Sequence, residues 1–207
     1  MPISKSSKQW LREHHKDVFV KKAKKDGLRA RSVYKLEEIQ ERYAFIKPGM
    51  VVIDIGAAPG SWSEFVASAV GKTGIVIAVD ILPMKPIVGV DFIQGDFRGQ
   101  ETQLRLLKNI PSGKGVDLII SDMAPNMSGI PVVDQANIIN LASLALAFAR
   151  QMLNRNGSLL IKLFHGDGFT EFVKELHTCF RNVRVIKPKA SRSRSKEVFL
   201  LASCKLD

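Results

Sequence analysis

Lys162 lies inside the apolar stretch GSLLIKLF (157–164), which has the composition of a buried strand. A charged side chain is costly to bury in such a strand without a purpose. A neutral lysine can accept a proton, and both desolvation and a neighbouring ammonium group disfavour the charged form of a lysine. Lys162 is therefore a candidate general base for a weakly acidic hydroxyl group. The alternative is a lysine that is exposed at a strand end or held in a structural ion pair.

Acidic residues close four further apolar stretches that have the pattern of strands. They are Asp54 in MVVIDIG, Asp80 in GIVIAVD, Asp96 in VDFIQGD and Asp122 in VDLIISD. We expect the strands of Asp54 and Asp122 to be neighbours, and ligands of open parallel sheets bind beyond the carboxyl ends of the strands. Asp80 follows Gly56 at the spacing from which a carboxylate accepts hydrogen bonds from two ribose hydroxyls. Asp96 could accept an adenine amino group, with Phe97 beside the base, although acidic residues at strand ends also simply cap helices.

The loop after the first strand, DIGAAPGSW (54–62), contains small residues that let the backbone approach a ligand closely. A dinucleotide site would need GxGxxG, but Ala58 and Pro59 interrupt that spacing, which disfavours an NAD-dependent dehydrogenase. Carboxylates that converge at this edge suit a cationic ligand, and S-adenosylmethionine carries both a sulfonium and an ammonium group. The candidate cofactor residues of the loop are Asp54, Gly56, Pro59, Gly60 and Trp62, although Trp62 could equally be a core residue.

Strand-like and helix-like segments alternate along the chain. This pattern predicts an α/β fold with a mostly parallel sheet, helices on both faces and an antiparallel C-terminal strand. The predicted helices cover 29–45, 61–70, 101–110, 134–153 and 169–180, and the predicted strands cover 50–56, 74–80, 90–96, 116–122 and 157–164. NVRVIKP and EVFLLASCK form a predicted closing pair. We expect one domain over 29–207, preceded by a basic, flexible arm over 1–28.

The formal charge of +11 is concentrated in two flanking segments. Residues 1–47 hold thirteen Lys and Arg against six Asp and Glu, and residues 181–196 hold seven against none. The segment between them, 48–180, holds ten against twelve. Two basic flanks around a neutral core are typical of proteins that bind a polyanion such as nucleic acid, with phosphate contacts expected in the arm and in the loop 187–196. A solvated surface that only aids solubility is the alternative.

The remaining composition points to an intracellular protein. The N-terminus lacks the apolar run of a secretory signal, and no stretch approaches eighteen uninterrupted apolar residues, so we expect a soluble, cytoplasmic protein that does not bind a membrane. Cys179 and Cys204 form no CxxC or Cys/His cluster, which predicts buried, unpaired thiols and no metal site.

Seven motifs together resemble the FtsJ family of ribosomal RNA 2′-O-methyltransferases. They are ARSVYKLEEI, DIGAAPGSW, AVDI, GDF, SDMAPNMSG, LIKLF and SRSKEVFLL, and they extend from about residue 29 to 203. The resemblance implies a Rossmann-like methyltransferase fold that uses S-adenosylmethionine and requires no metal. It also implies a particular substrate, a uridine ribose in the RNA of the large (50S) ribosomal subunit. We expect the protein to be a monomer.

Matched motif by motif, the resemblance implies a catalytic tetrad of Lys35, Asp122, Lys162 and Glu197. It implies cofactor contacts at Gly60, Trp62, Asp80, Asp96 and Asp122. Lys35 and Glu197 depend on this match, because from the residues alone a surface position is nearly as good an interpretation. Ser61 departs from the family pattern, in which glycine is usual, and this difference could shift the cofactor loop slightly.

Other functions remain as alternatives. Methylation of base amino groups goes with an (N/D)PP(Y/F) motif, whereas this chain has Asp122-Met123-Ala124-Pro125. Methylation of cytosine C5 needs a nucleophilic cysteine at a strand end, and neither cysteine has that position. A 2′-O-methyltransferase of transfer RNA or another structured RNA, and a ribosome assembly factor without essential catalysis, both share the expected RNA-binding surface.

Overall fold

The computed structural model describes residues 17–206. The helices within this range are α1 (Val18–Lys25), α2 (Val33–Tyr43), α3 (Ser61–Val70), α4 (Gln100–Asn109), α5 (Pro131–Met152) and α6 (Phe169–Cys179). The strands are β1 (Val51–Ile55), β2 (Ile75–Asp80), β3 (Val90–Gln94), β4 (Val116–Ser121), β5 (Leu153–Phe164), β6 (Phe180–Ile186) and β7 (Glu197–Lys205). They form one sheet in the order β3-β2-β1-β4-β5-β7-β6.

The sheet has the predicted architecture. Strands β3, β2, β1, β4 and β5 are parallel, and β7 pairs antiparallel with both β5 and β6. Strand β1 lies between β2 and β4, which confirms that the strands leading to Asp54 and Asp122 are neighbours. The α/β class, the mostly parallel sheet and the antiparallel C-terminal strand are therefore confirmed.

Two hydrophobic cores cover the two faces of the sheet. On one face, Leu36 of α2 and Val66 of α3 pack with Val52 of β1. On the other face, Leu106 of α4 and Ala145 of α5 pack with a set of strand residues that includes Ile53 and Ile55 of β1. Neighbouring residues of a strand face opposite sides, so a continuous apolar strand serves both cores.

Three element boundaries differ from the prediction by three or more residues. Helix α2 begins at Val33 instead of 29. Helix α5 begins at Pro131, three residues earlier than expected, because proline is well suited to the first turn of a helix, where its missing N–H is not needed. Strand β5 begins at Leu153 instead of 157, and Leu153 pairs there with Val116 of β4. Asn154 stabilises this extension by donating to Asp117 Oδ1 at 2.9 Å, a tertiary contact that periodicity does not reveal.

Residues 18–25 of the predicted arm form helix α1, an element that the weak periodicity of this segment did not predict. Helix α1 buries Val20 and Ala23, and the ring of Phe19 lies 5.6 Å from that of Tyr34 on α2. The side chain of Asp17 caps the helix by accepting a hydrogen bond from the backbone N–H of Phe19. The rest of the arm, 1–16, lies outside the described residues.

Helix α5 is the one helix among the described residues that is long and apolar enough to cross a membrane. A core helix of a soluble protein meets the same criteria, so this is weak evidence for a membrane span. The buried residues Ala142, Leu146 and Ala149 pack in the core cluster on this face of the sheet. Both cysteines have free thiols as predicted, although only Cys179 is buried and Cys204 is partly exposed.

Asp54 is a carboxylate within the fully buried strand β1, where its exposure is 1%. Its Oδ2 accepts a hydrogen bond from Ser63 Oγ of α3 at 2.6 Å, whereas Oδ1 has no hydrogen-bond partner among the described residues. Burial raises the pKa of Asp54 to about 7; the bond from Ser63 opposes this change, and repulsion from Asp122 and Asp80 adds to it.

We predict that Asp54→Asn becomes increasingly favourable to stability, relative to wild type, as the pH rises. The pKa of Asp54 in the folded state, about 7, exceeds its ordinary value of 3.8, so the folded state binds the proton more tightly. Ionisation of Asp54 therefore costs stability progressively between these two values, and asparagine does not ionise. Urea unfolding of both chains at about pH 5 and about pH 8 measures the difference.

The matched control is Asp91→Asn, which neutralises an exposed carboxylate of β3. Its free energy of unfolding is expected to follow that of wild type with a constant offset. A constant offset for Asp54→Asn as well would show that burial does not hold a proton on Asp54.

Candidate active site

Four predicted site residues meet at the carboxyl end of the sheet. Lys35 lies on α2, Asp122 directly follows β4, Lys162 lies on β5 and Glu197 begins β7. The register brings them together, because β4 and β5 are adjacent and Phe164 of β5 pairs with Glu197. The result is two lysine–carboxylate pairs, one between β4 and β5 and one between α2 and β7.

The first pair joins Lys162 and Asp122. The Lys162 side chain is 8% exposed, and its Nζ lies 2.7 Å from Asp122 Oδ1. Nζ also donates a hydrogen bond to the backbone oxygen of Asp122 at 2.5 Å. The contact with Oδ1 is an ion pair by distance but lacks the alignment of a hydrogen bond. Asp122 thus holds the Lys162 ammonium group with two oxygens at the end of β4.

The second pair joins Lys35 and Glu197, whose Nζ and Oε1 atoms are 2.7 Å apart. Ser191 Oγ donates to the same Oε1 at 2.8 Å. Burial alone would raise the pKa of Glu197, but the charge and hydrogen bond of Lys35, the bond from Ser191 and the charge of Lys162 together hold this pKa below its usual range. Glu197 is therefore an ionised carboxylate that orients Lys35. The charge of Lys162 also stabilises its ionised form.

Glycine is required at two positions of the loop 54–62. Gly56 has φ of 78°, and a Cβ added there would lie 2.4 Å from Met123 Cγ, in the segment that follows Asp122. Gly60 has φ of 101°, and its added Cβ would lie 2.6 Å from Met84 Sδ and from Ile87 Cδ1. Both backbones adopt a left-handed conformation that other residues rarely tolerate. The loop therefore packs closely between the segments after β2 and β4.

Asp80 fixes this loop by accepting backbone hydrogen bonds. Its Oδ2 accepts from the N–H of Ala58 at 2.8 Å, and its Oδ1 accepts from the N–H of Leu82 at 2.8 Å. The side chain thus connects the loop containing Gly56, Pro59 and Gly60 with the segment after β2. Each carboxylate oxygen still has a further lone pair for a ligand hydroxyl.

Asp96 is engaged with Arg98. The guanidinium Nη2 and Nε of Arg98 contact Asp96 Oδ2 at 2.6 Å and Oδ1 at 3.0 Å, and the Arg98 N–H donates to Oδ1 as well. These hydrogen bonds from Arg98 lower the pKa of Asp96 despite some desolvation. Arg98 therefore binds the carboxylate that was predicted from the sequence to accept a hydrogen bond from an adenine amino group.

The two aromatic residues predicted to contact the cofactor lie in the core. Trp62 is 2% exposed; its Nε1 donates to the backbone oxygen of Ser32 at 2.9 Å, and its ring lies 5.6 Å from that of Phe199. Phe97 is also buried, with its ring edge-on to Phe148 at 5.2 Å. In this structure both side chains are therefore part of the packed core next to the candidate site.

Sequence reasoning missed two residues that shape the neighbouring loops. Arg29 donates to the backbone oxygens of Pro59, Lys85 and Pro86, at 3.3, 3.1 and 3.0 Å, and so joins the loop 54–62 to the segment after β2. Asp134 of α5 accepts from the N–H and Oγ of Ser128, at 2.6 and 2.7 Å, and thereby fixes the segment after Asp122. No spacing pattern in the sequence identifies either residue. Arg29 binds backbone atoms that are distant in sequence, and Asp134 binds backbone atoms of a turn.

A small cavity reaches Lys162 from the side of α5. It is lined by Ser121, Met123, Pro125, Ile138, Leu141, Ala142, Ile161 and Lys162.

Within residues 17–206, no three His, Cys, Asp or Glu side chains form a group that could hold a metal ion. The chemistry that these residues can perform is proton transfer and orientation by paired lysines and carboxylates.

This chain is similar to known proteins in both sequence and fold. The model of the FtsJ-like methyltransferase family matches residues 28–205. Proteins named ribosomal RNA large subunit methyltransferase E, from Acinetobacter baumannii and Acinetobacter baylyi, are each 55% identical over 199 residues, which is 96% of this chain and 92% of theirs.

Solved structures with a similar fold include the following two. One is a Plasmodium falciparum protein named as a ribosomal RNA methyltransferase, with a TM-score of 0.76 and 29% identity over 86% of this chain and 98% of that one. The other, named as an rRNA methylase from Clostridium thermocellum, has a TM-score of 0.58 at 18% identity over 83% and 97% of the two chains, and supports the fold alone. With the family match and the 55% identical relatives, these findings show that the chain belongs to the FtsJ-like methyltransferase family.

Proposed function

We propose that this chain is an S-adenosylmethionine-dependent 2′-O-methyltransferase of a uridine ribose in large-subunit (23S) ribosomal RNA, acting on the assembled 50S subunit in the cytoplasm. The observation that carries the proposal is the pair of buried lysine–carboxylate contacts, Lys162 with Asp122 and Lys35 with Glu197, beside the glycine loop. The relatives named ribosomal RNA large subunit methyltransferase E support the choice of substrate. The family resemblance of the sequence motifs supports the uridine ribose and a monomeric enzyme.

The residues around the glycine loop fit a cationic cofactor. Asp54 Oδ1 is buried without a hydrogen-bond partner among the described residues, and Asp122 and Asp80 are close enough to raise the pKa of Asp54. A cationic ligand beside these carboxylates would relieve their mutual repulsion, which suits a sulfonium or an ammonium group. Gly56 and Gly60 let the loop pack directly against the side chains of Met123, Met84 and Ile87.

When bound, S-adenosylmethionine would supply an electrophilic methyl group to the site. Asp80 would accept hydrogen bonds from its ribose, and Asp54 and Asp122 would face its positive charges. Asp96 would bind the adenine only after Arg98 releases part of the carboxylate, and Pro59, Trp62 and Phe97 would shape the pocket from behind.

The residues of this chain would activate and hold the attacking oxygen. A ribose 2′-hydroxyl is a very weak acid, so its attack needs a proton acceptor at the oxygen. Lys162, once neutral, accepts that proton, while Asp122 keeps Nζ at the end of β4. Glu197 orients Lys35 through an ion pair at the same edge of the sheet. Their fixed positions supply the alignment on which an in-line transfer depends.

Lys162→Met is expected to lower the rate of methyl transfer about a hundred- to ten-thousandfold, because the proton acceptor is lost while the other binding groups remain. The assay follows labelled methyl from S-adenosylmethionine into undermethylated large ribosomal subunits, with free ribosomal RNA and transfer RNA alongside. Nuclease digestion of the labelled RNA then shows whether the methyl group is on a ribose 2′-oxygen.

The matched control is Lys174→Met, which removes an exposed lysine of α6 and is expected to retain full activity. Full activity of Lys162→Met would exclude Lys162 as the base. Label in transfer RNA but not in large subunits would replace the proposed substrate with another structured RNA, and binding of subunits without transfer would favour an assembly factor.

Gly56→Ala is expected to weaken S-adenosylmethionine binding at least about tenfold, which corresponds to about 1.4 kcal/mol. The added Cβ would meet Met123 and displace the loop that would contact the cofactor. Titration calorimetry measures the dissociation constant. Gly113→Ala is the control, since Gly113 has φ of 79° but open space around its Cβ, and the backbone strain alone costs about 1–2 kcal/mol in both variants. Equal affinities of the two variants would contradict this assignment of the loop.

A further inference from the structure

Asp17 lies between two arginines that belong to different parts of the chain. Its Oδ2 forms an ion pair with Arg31 Nη1 and contacts Arg192 Nε at 3.4 Å. The Asp17 side chain is only 10% exposed, and its Oδ1 accepts the N–H of Phe19 at 3.0 Å as the cap of α1. A carboxylate that is this buried and shared by two guanidinium groups offsets their mutual repulsion.

The same contacts fix the basic loop 187–196 to the N-terminal helices. Arg31 donates a hydrogen bond to the backbone oxygen of Ala190. Glu38 of α2 accepts the N–H groups of Lys189 and Ala190, at 2.7 and 3.4 Å. Asp17, the cap of α1, adds the contact with Arg192, so this loop is attached through residues 189, 190 and 192 to the N-terminal part of the chain.

The attached loop leads directly to the second ion pair. Ser191 lies between Ala190 and Arg192, and its hydroxyl donates to Glu197 Oε1 at 2.8 Å. The charges are coupled as well: burial and the repulsion of Arg192 lower the pKa of Arg31, while the charge of Glu197 opposes this change. A displacement of the loop would therefore move Ser191 and disturb the carboxylate that orients Lys35.

We propose that Asp17 is a positioning residue of the active site, because its carboxylate holds Arg31 and Arg192 together and thereby keeps Ser191 on Glu197. This inference rests on the proposed function, in which the Glu197–Lys35 pair supports methyl transfer. Asp17 contacts neither the reacting atoms nor the glycine loop, so its effect reaches the reaction through the loop 187–196.

Asp17→Asn tests this role with little change in shape. Asparagine caps helices as well as aspartate does, so α1 keeps its cap while the charge between the arginines is lost. The turnover number for methyl transfer is expected to fall at least about tenfold, since small displacements of catalytic groups have effects of that size. The KM for RNA is expected not to rise, because the variant adds net positive charge to a basic surface. Asp91→Asn, a neutralised exposed carboxylate, serves as the control with unchanged kinetics.

A second measurement follows the loop itself. Amide exchange at Lys189 and Ala190 is expected to accelerate in Asp17→Asn, because their hydrogen bonds to Glu38 depend on the attached loop. In a double variant with Arg192→Gln, the two losses of turnover are expected to be less than additive, since both changes break the same contact.

The outcomes separate this inference from the function on which it rests. An unchanged turnover number, a loss confined to KM, or unchanged exchange at Lys189 and Ala190 would overturn the role of Asp17. A wild-type chain that transfers no methyl group to any RNA would overturn the proposed function, and exchange alone would then decide whether Asp17 fixes the loop.

Discussion

The buried charge of Lys162 is the constraint around which the carboxyl end of the sheet is arranged. Its side chain is only 8% exposed, so water can solvate the ammonium group only in part. Breaking a buried ion pair typically costs about 3–5 kcal/mol, because one charge is left without a partner. Asp122 must therefore follow β4 at one fixed register, and β7, which pairs with β5, must bring Glu197 to the same edge, where Lys35 of α2 meets it. The fold and the site depend on the same pairing of strands.

The loops at this edge are held by side chains that bind backbone atoms. Asp80 accepts two amides, Arg29 donates to three carbonyls, and Asp134 accepts the amides of Ser128 and Gly129. Irregular backbone has no ladder of its own to satisfy its polar groups, so such contacts replace one. A ligand that enters between these loops meets groups that are already in position, which lowers the cost of ordering them.

The sequence predicted the features that follow from periodicity, and it missed those that depend on a distant partner. Apolar strands that end in Asp54, Asp80 and Asp122 predicted the sheet and its edge, and a lysine within an apolar strand predicted that Lys162 is buried. Nothing in the local pattern showed that Asp96 is held by Arg98, or that Phe19 of α1 packs on Tyr34. Trp62 illustrates the same limit, because its composition suited both a pocket wall and a core, and only its contact with Phe199 distinguishes the two.

The position of β7 has a consequence for biosynthesis. It lies between β5 and β6 in the sheet but follows both in the chain. While the ribosome is still making residues 187–205, β5 presents an open edge, and β6 has no neighbour with which to pair. Unpaired edges of apolar strands readily associate with other chains, so the nascent polypeptide is most vulnerable to aggregation at this stage. The same strand that completes the Lys35–Glu197 ion pair also closes this gap, so the candidate site and protection from misassembly arise in a single folding event.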